Sequence, residues 1–416
     1  MKKAHFLLTG AAVAMALACG TAPASAQTVK IAFIDPLSGM MGSLGTNELR
    51  SWQYAADIAN QQNWTGGPKL EVVGFDNNLS PQQSLTLLRE AADQGIRYIV
   101  QGNGSSVGMA LEDAVAKYNE RNPGKELVYL NYGAIDPAMT NGKCSFWQFS
   151  LDANSDMKME ALTSYLAKNP NVKKVYLIDQ DYSFGHDVAR AAQEDLKRKR
   201  PDIQIVGDEF HPLAKVKDFS PYASKIKASG ADTVITGNWG SDLALLIKAG
   251  KDAGVTANYY TYYATTTGVP TAMGAAGAGR VKYIGYFGPN TPGNPPQADQ
   301  VFDGFKKKYN DDLSMIATYT GIALLSKAFK ETHSTDPVKV AKALEGMKVQ
   351  SLNGMVQMRA ADHQLQQPLV ITTWVKADGK VVKHDQENTG YGWRTDAVLD
   401  AASATLPTTC QMKRPD

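Results

Sequence analysis

The chain has 416 residues, with 43 Lys and Arg against 41 Asp and Glu, a formal charge of +2, and 43% hydrophobic residues. This balance offers no electrostatic case for binding nucleic acid or an acidic membrane face. A chain this long exceeds what one core fills, so two domains are expected.

The N-terminus reads as a cleavable secretory leader over residues 1–26. Lys2 and Lys3 supply a positive start, Phe6 to Ala18 an apolar run too short to span a bilayer, and Ala24-Ser25-Ala26 a small-residue cleavage site before Gln27. A lipid-attachment reading at Cys19 competes, but Ala16 stands three residues before it where such sites want Leu. A buried N-terminal helix is the third reading. Losing Lys2 and Lys3 leaves a neutral mature chain, and no later segment approaches the roughly 18 apolar residues of a membrane span. The exported chain is therefore expected in the periplasm. Cys144 and Cys410 remain after cleavage, and an even count in an oxidising compartment points to one disulfide, against the alternative of two buried thiols.

From Val29 the sequence alternates short apolar runs with amphipathic stretches. Strands are predicted at 29–34, 70–75, 98–101 and 127–131, with helices at 47–62, 82–94 and 109–120 between and after them. Ser80-Pro81 supplies a cap and a first-turn proline for the second helix. The alternation then restarts. Helices at 157–168, 188–198, 221–229 and 243–253 interleave with strands at 174–178, 203–206, 233–236 and 258–262. Helices follow at 297–309, 318–330 and 337–346, and a hairpin of 370–375 with 381–383 is predicted around Asp378-Gly379. The fold class is α/β: two doubly wound parallel-sheet units, whose ligands bind beyond the carboxyl ends of the strands, in the cleft between them.

The strongest local signal is Gly102-Asn103-Gly104-Ser105-Ser106-Val107-Gly108, between a strand and a helix. Its spacing misses the dinucleotide fingerprint by one residue and follows the third strand, not the first. Free N–H groups and the Ser105 and Ser106 hydroxyls at a helix start instead suit an anionic oxygen such as a carboxylate; a serine-capped turn without a ligand is the plainer reading. The loop Tyr132 to Pro137, with Ala134 and Ile135, is placed to take the other side of that anion, although Asp136 also reads as a turn cap. Tyr182 and Phe184, Trp239, and Tyr263 stand at strand ends of the second unit and suit cleft walls, with core packing as their rival reading. No G-x-S-x-G elbow, phosphate-binding lysine loop or C-x-x-C is present, and His186, His211 and His363 show no ligand spacing. No catalytic residue, cofactor or metal is therefore expected.

Taken in order, Pro36-Leu37-Ser38-Gly39, the Ser105-Ser106 loop, Gly133-Ala134 with Pro137, Tyr182-Ser183-Phe184-Gly185, Lys217-Asp218-Phe219-Ser220, Ala249 to Val255 and Tyr319-Thr320-Gly321 span nearly all of the mature chain. This order resembles the Leu/Ile/Val-binding protein family, the type I periplasmic solute-binding proteins of ABC importers. The resemblance implies two lobes joined by three crossovers, of residues 27–150 plus 287–350 and 151–286 plus 351–416. It implies closure of the lobes on an amino acid or related small carboxylate, delivery to an inner-membrane ABC permease, no catalysis, and a monomer. It places the ligand carboxylate on Ser105 and Ala134, with Ile135 where the family has a hydroxyl. The family's acidic ammonium anchor has no counterpart in Tyr262-Tyr263-Ala264-Thr265-Thr266. Amine-free aromatic or other carboxylates therefore stand as an alternative ligand class, and a ligand-sensing receptor module as an alternative role.

Overall fold

The computed structural model describes Met1 and residues 27–415; the expected leader, with Cys19 and the Ala24-Ser25-Ala26 site, lies outside the described residues. The first lobe is built from β1 (Thr28–Asp35), α1 (Gly42–Gln61), β2 (Lys69–Asp76), α2 (Pro81–Asp93), β3 (Tyr98–Gln101), α3 (Ser105–Arg121), β4 (Val128–Asn131) and β5 (Gln148–Ser150). These strands form a parallel sheet in the order β2-β1-β3-β4-β5. Helices cover both faces, so Ile31 to Asp35 in β1 and all of β3 and β4 are buried, the near-continuous apolar pattern of a covered parallel sheet.

The second lobe follows with α4 (Ser155–Leu166), β6 (Lys174–Gln180), α5 (Ser183–Lys199), β7 (Gln204–His211), α6 (Ser220–Ser229), β8 (Thr233–Thr236), α7 (Gly240–Ala253), β9 (Asn258–Thr261), α8 (Val269–Met273) and β10 (Val281–Gly285). The chain then returns to the first lobe as α9 (Gln297–Tyr309), α10 (Ala317–Thr332) and α11 (Pro337–Leu344). A small antiparallel sheet of β11 (Lys348–Ser351), β12 (Gly354–Met358) and β13 (Leu365–Gln366) comes next. The chain re-enters the second lobe as β14 (Leu369–Lys376) and β15 (Tyr391–Leu399), antiparallel strands that extend its sheet to β15-β14-β10-β9-β8-β6-β7. A short α12 (Ala401–Ala404) ends the regular structure.

Three crossovers join the lobes, after β5, after β10 and between β13 and β14. They are tied together by side chains: Gln364 and Gln367 donate from Nε2 to the carbonyls of Asp152 and Leu151 at 2.7 Å each, and Asn353 donates to the carbonyl of Tyr286 at 2.8 Å. The tail then crosses once more. Ala404 enters the first lobe's core, Thr408 donates to the carbonyl of Thr140, and Cys410 is disulfide-bonded to Cys144 across 266 positions of sequence.

Two expectations are corrected. The lobe boundary at 350/351 would cut the hairpin of β11 and β12; Val349, Leu352, Val356, Met358 and Leu365 bury their side chains in the first lobe's core, so that lobe extends through β13 and takes the tail as well. The hairpin of 370–375 with 381–383 does not form. Asp378 folds that segment into a turn, its Oδ1 accepting from the N–H groups of Lys380, Val381 and Val382 at 2.9 Å each. The partner of β14 is β15, which brings Trp393 within 5.0 Å of Trp374 between ring centroids. A long strand with buried cross-strand aromatics outcompetes a three-residue run.

Candidate functional site

Where the lobes meet, a small cavity is left between them, a usual place for a ligand site. The first lobe supplies Leu44, Glu48, the loop 102–105, Tyr132, Gly133, Ile135 and Met315; the second supplies Tyr182, Phe184, Trp239, Tyr263 and Thr266. The lobes are closed on each other. Met41, Leu44 and Ile135 from the first share one apolar cluster with Phe184, Trp239 and Tyr263 from the second, and Tyr263 Oη donates to the carbonyl of Gly133 at 3.1 Å.

The loop after β3 has its shape for local reasons. Gly104 sits at φ +84°, a left-handed conformation suited to glycine, and a Cβ on Gly102 would lie 2.5 Å from the Tyr132 ring. Asp35, at the end of β1 and fully buried, holds the loop from below. Its carboxylate accepts from the N–H groups of Gly102 and Asn103 at 2.9 Å each and from Tyr132 Oη at 2.5 Å. Helix α3 starts at Ser105, four residues earlier than expected. The Gly104 carbonyl takes the N–H groups of Val107 and Gly108, while those of Ser105 and Ser106 meet no acceptor among the described residues. Unpaired N–H groups at the positive end of a helix are an anion site.

Of the residues singled out from sequence, Ser105, Ile135, Tyr182, Phe184, Trp239 and Tyr263 line the cavity. Ser106 and Ala134 do not. The Ala134 N–H is taken by Asn131 Oδ1 at 2.8 Å, and its Cβ lies 2.7 Å from where a Cβ on Gly108 would sit, so it packs on α3. The N–H expected to take a ligand carboxylate at Ala134 is thus already paired inside the lobe. Tyr182 and Trp239 are the residues immediately before α5 and α7, and Trp239 Nε1 donates to Tyr182 Oη at 2.9 Å, making the two walls one unit.

Sequence reasoning missed Glu48, Leu44 and Met315, and gave the side chains of Asn103, Tyr132 and Thr266 no role. One of them is an acid of the first lobe, Glu48. Glu48 is 2% exposed, and its Oε2 accepts from Asn103 Nδ2 and lies 2.9 Å from Tyr132 Oη. Burial, and then the charge of Asp35, raise the Glu48 carboxyl above the ordinary glutamate range; burial raises Asp35 likewise. A signal was present: Glu48 follows Leu44 and precedes Trp52 at four-residue steps, an acid on the apolar face of α1. No Lys, Arg or His lines the cavity, and the described residues hold no group of three or more His, Cys, Asp or Glu that could bind a metal. No described helix is long and apolar enough to cross a membrane.

A two-lobed hinge around a closed polar-and-aromatic cavity is the architecture of a solute receptor. Residues 28–380 match the family model described as periplasmic binding protein. The chain belongs to that family. The binding protein is 30% identical over 424 residues to Leu/Ile/Val-binding protein homolog 4 of Brucella abortus, covering 99% of each chain. Its fold superposes with a TM-score of 0.81, at 29% identity and with 94% and 100% of the two chains covered, on the closed conformation of a leucine-, isoleucine-, valine-, threonine- and alanine-binding protein from Brucella ovis. A solute-binding protein of an ABC transporter from R. palustris, solved with 4-hydroxybenzoate, shares the fold at a TM-score of 0.75 and 21% identity, with 90% and 97% covered. The binding protein is thus a solute-binding member of the leucine-binding type.

Proposed function

We propose that the protein, exported by cleavage after Ala26, acts in the periplasm as a monomer that captures a small carboxylate-bearing solute between its lobes. It hands that solute unchanged to an inner-membrane ABC permease. The observation that carries this reading is the start of α3, where Ser105, whose N–H and hydroxyl meet no partner among the described residues, lines the closed cavity. With no cation lining the cavity, the helix end is the carboxylate's electrostatic partner. Leu44, Ile135, Phe184, Trp239 and Tyr263 form an apolar and aromatic remainder that suits a branched or aromatic tail. The lobe ranges that serve this cycle are 27–150 with 287–366 and the tail, against 151–286 with 369–399.

The aromatic walls also favour a second reading, an amine-free aromatic acid of the kind seen with the R. palustris protein of the same fold.

A thermal-shift screen of the exported chain tests the proposal. Branched-chain and aromatic amino acids are compared with their amine-free counterparts and with neutral sugars. A carboxylate ligand raises the melting temperature by mass action. Stabilisation by sugars alone would refute the carboxylate reading.

A further inference from the structure

We infer that Glu48, an acid of the first lobe, is the anchor for a ligand ammonium, and that binding of an ammonium-bearing solute expels a proton from the Asp35–Glu48 pair. This rests on the reading of the cavity as a carboxylate site.

The geometry carries the argument. Tyr132 Oη lies 2.5 Å from Asp35 Oδ2 and 2.9 Å from Glu48 Oε2, yet it has one hydrogen to give. The second contact needs a proton on one of the carboxyl groups. Asp35 already receives the N–H groups of Gly102 and Asn103 and, at 3.4 Å, Gln101 Nε2, which suit an ionised carboxylate. Glu48 Oε2 takes the Asn103 amide and, carrying the proton, gives it to the tyrosine oxygen, and among the described residues nothing donates to Oε1. The proton of the ligand-free pair therefore belongs on Glu48. The direction of its shift, upward through burial and the nearby Asp35 charge, agrees.

The titratable groups around Glu48 are Asp35 from β1, Tyr132 after β4, Tyr286 after β10, and Tyr182 and Tyr263 across the cavity; Asp152 and Lys158 pair with each other behind Tyr263. None of these offers Glu48 a cation. An amine-free carboxylate would enter a cavity with an acid pair and no basic side chain. An amino acid brings its own positive charge. Its ammonium against Oε1 favours the ionised carboxyl, Glu48 loses its proton to solvent, and the ammonium keeps all three of its hydrogens. The α-carboxylate and ammonium would then be read from the same lobe, by Ser105 and Glu48, leaving the second lobe to close over the side chain.

Titration calorimetry of the exported protein near neutral pH tests this. The probes are L-leucine and L-phenylalanine against 4-methylpentanoate and 3-phenylpropanoate, which lack only the amine. Two buffers of different ionisation enthalpy report proton release. At least one amino acid should bind about 100-fold more tightly than its amine-free partner, the scale expected for a buried charge pair, and should release protons while its partner does not. Glu48→Gln, checked for folding by its melting curve, should abolish both the preference and the release, whereas Ser105→Ala should weaken both members of a pair alike. Proton release is read on the unaltered protein, so it stands even if the variant fails to fold. Amine-free acids binding as tightly as amino acids, binding without proton release, or a preference that survives in Glu48→Gln would overturn the inference and leave the carboxylate reading in place. If none of the four acids binds, the carboxylate reading falls and the inference with it.

Discussion

Lys158 Nζ lies 2.8 Å from Asp152 Oδ2, with both side chains fully buried, and 4.4 Å from the centroid of the Tyr263 ring that walls the cavity. Asp152 belongs to the first crossover and Lys158 to the first turn of α4, so an ion pair in the hinge stands directly behind the site. Burial holds the Lys158 ammonium below its ordinary pKa and raises Asp152, while each partner's charge pulls the other back. Lys158→Met should therefore lower unfolding free energy by about 3–5 kcal/mol, because it strands a buried carboxylate. The double variant with Asp152→Asn should recover most of the loss. Urea unfolding of both proteins checks the pair.

Tyr263 links that pair to closure. Its hydroxyl lies 3.0 Å from Asp152 Oδ2 and 3.1 Å from the carbonyl of Gly133 in the opposite lobe. Tyr263→Phe keeps the ring and removes these contacts. The expected result is about a two- to tenfold loss of ligand affinity, from a hydrogen bond worth about 0.5–1.5 kcal/mol. A larger open fraction, seen as an increased radius of gyration in small-angle scattering without ligand, should accompany it.

Ser105 is buried, but its hydroxyl makes no hydrogen bond among the described residues. Ser105→Ala should leave stability within about 0.5 kcal/mol of the parent. It should weaken a carboxylate ligand by about 1.5–3 kcal/mol, the range for a hydrogen bond to a charged group. Calorimetry beside a melting curve separates the two effects.

The Asp35–Glu48 pair makes ligand-free stability depend on pH. Both folded carboxyls are shifted upward, so over the affected range the folded state binds more protons than the unfolded chain. Stability then falls as pH rises from the ordinary carboxylate range, about 4, toward the raised folded values. Glu48→Gln should flatten that slope. Unfolding free energy measured from pH 5 upward, parent against variant, reads the sign directly; a stability that rises over this window in the parent but not in the variant would contradict it.

The Cys144–Cys410 bond closes a loop of 266 positions and fastens the tail to the first lobe. Replacing both cysteines with serine should lower stability by about 2–4 kcal/mol, chiefly through the freer unfolded chain. The tail after α12 should then lose protection first in hydrogen exchange, since its remaining ties are few, among them Thr408 to Thr140 and Thr409 to Asn141.

The repeating strand–helix pattern, the serine loop after β3 and the aromatic strand ends were legible in sequence because each is a local matter of period, turn chemistry and helix start. Ser105, Tyr182, Phe184, Trp239 and Tyr263 line one cavity. What lay beyond local reading was partnership. The strand that pairs with β14 begins 15 residues after it ends, and β11 to β13 chose the first lobe because their apolar side chains fit the core beside α10. Ala134 looked available until Asn131 was seen to hold its N–H. Glu48 looked like an ordinary helix acid until folding placed it against Asp35, Tyr132 and Asn103, residues 13 to 84 positions away in sequence. Sequence alone determined the architecture and the glycine-serine helix start, because hydrogen bonding and hydrophobic period act over a few residues. Tertiary structure alone decided which acid lines the cavity, because burial and charge coupling depend on what the fold brings near.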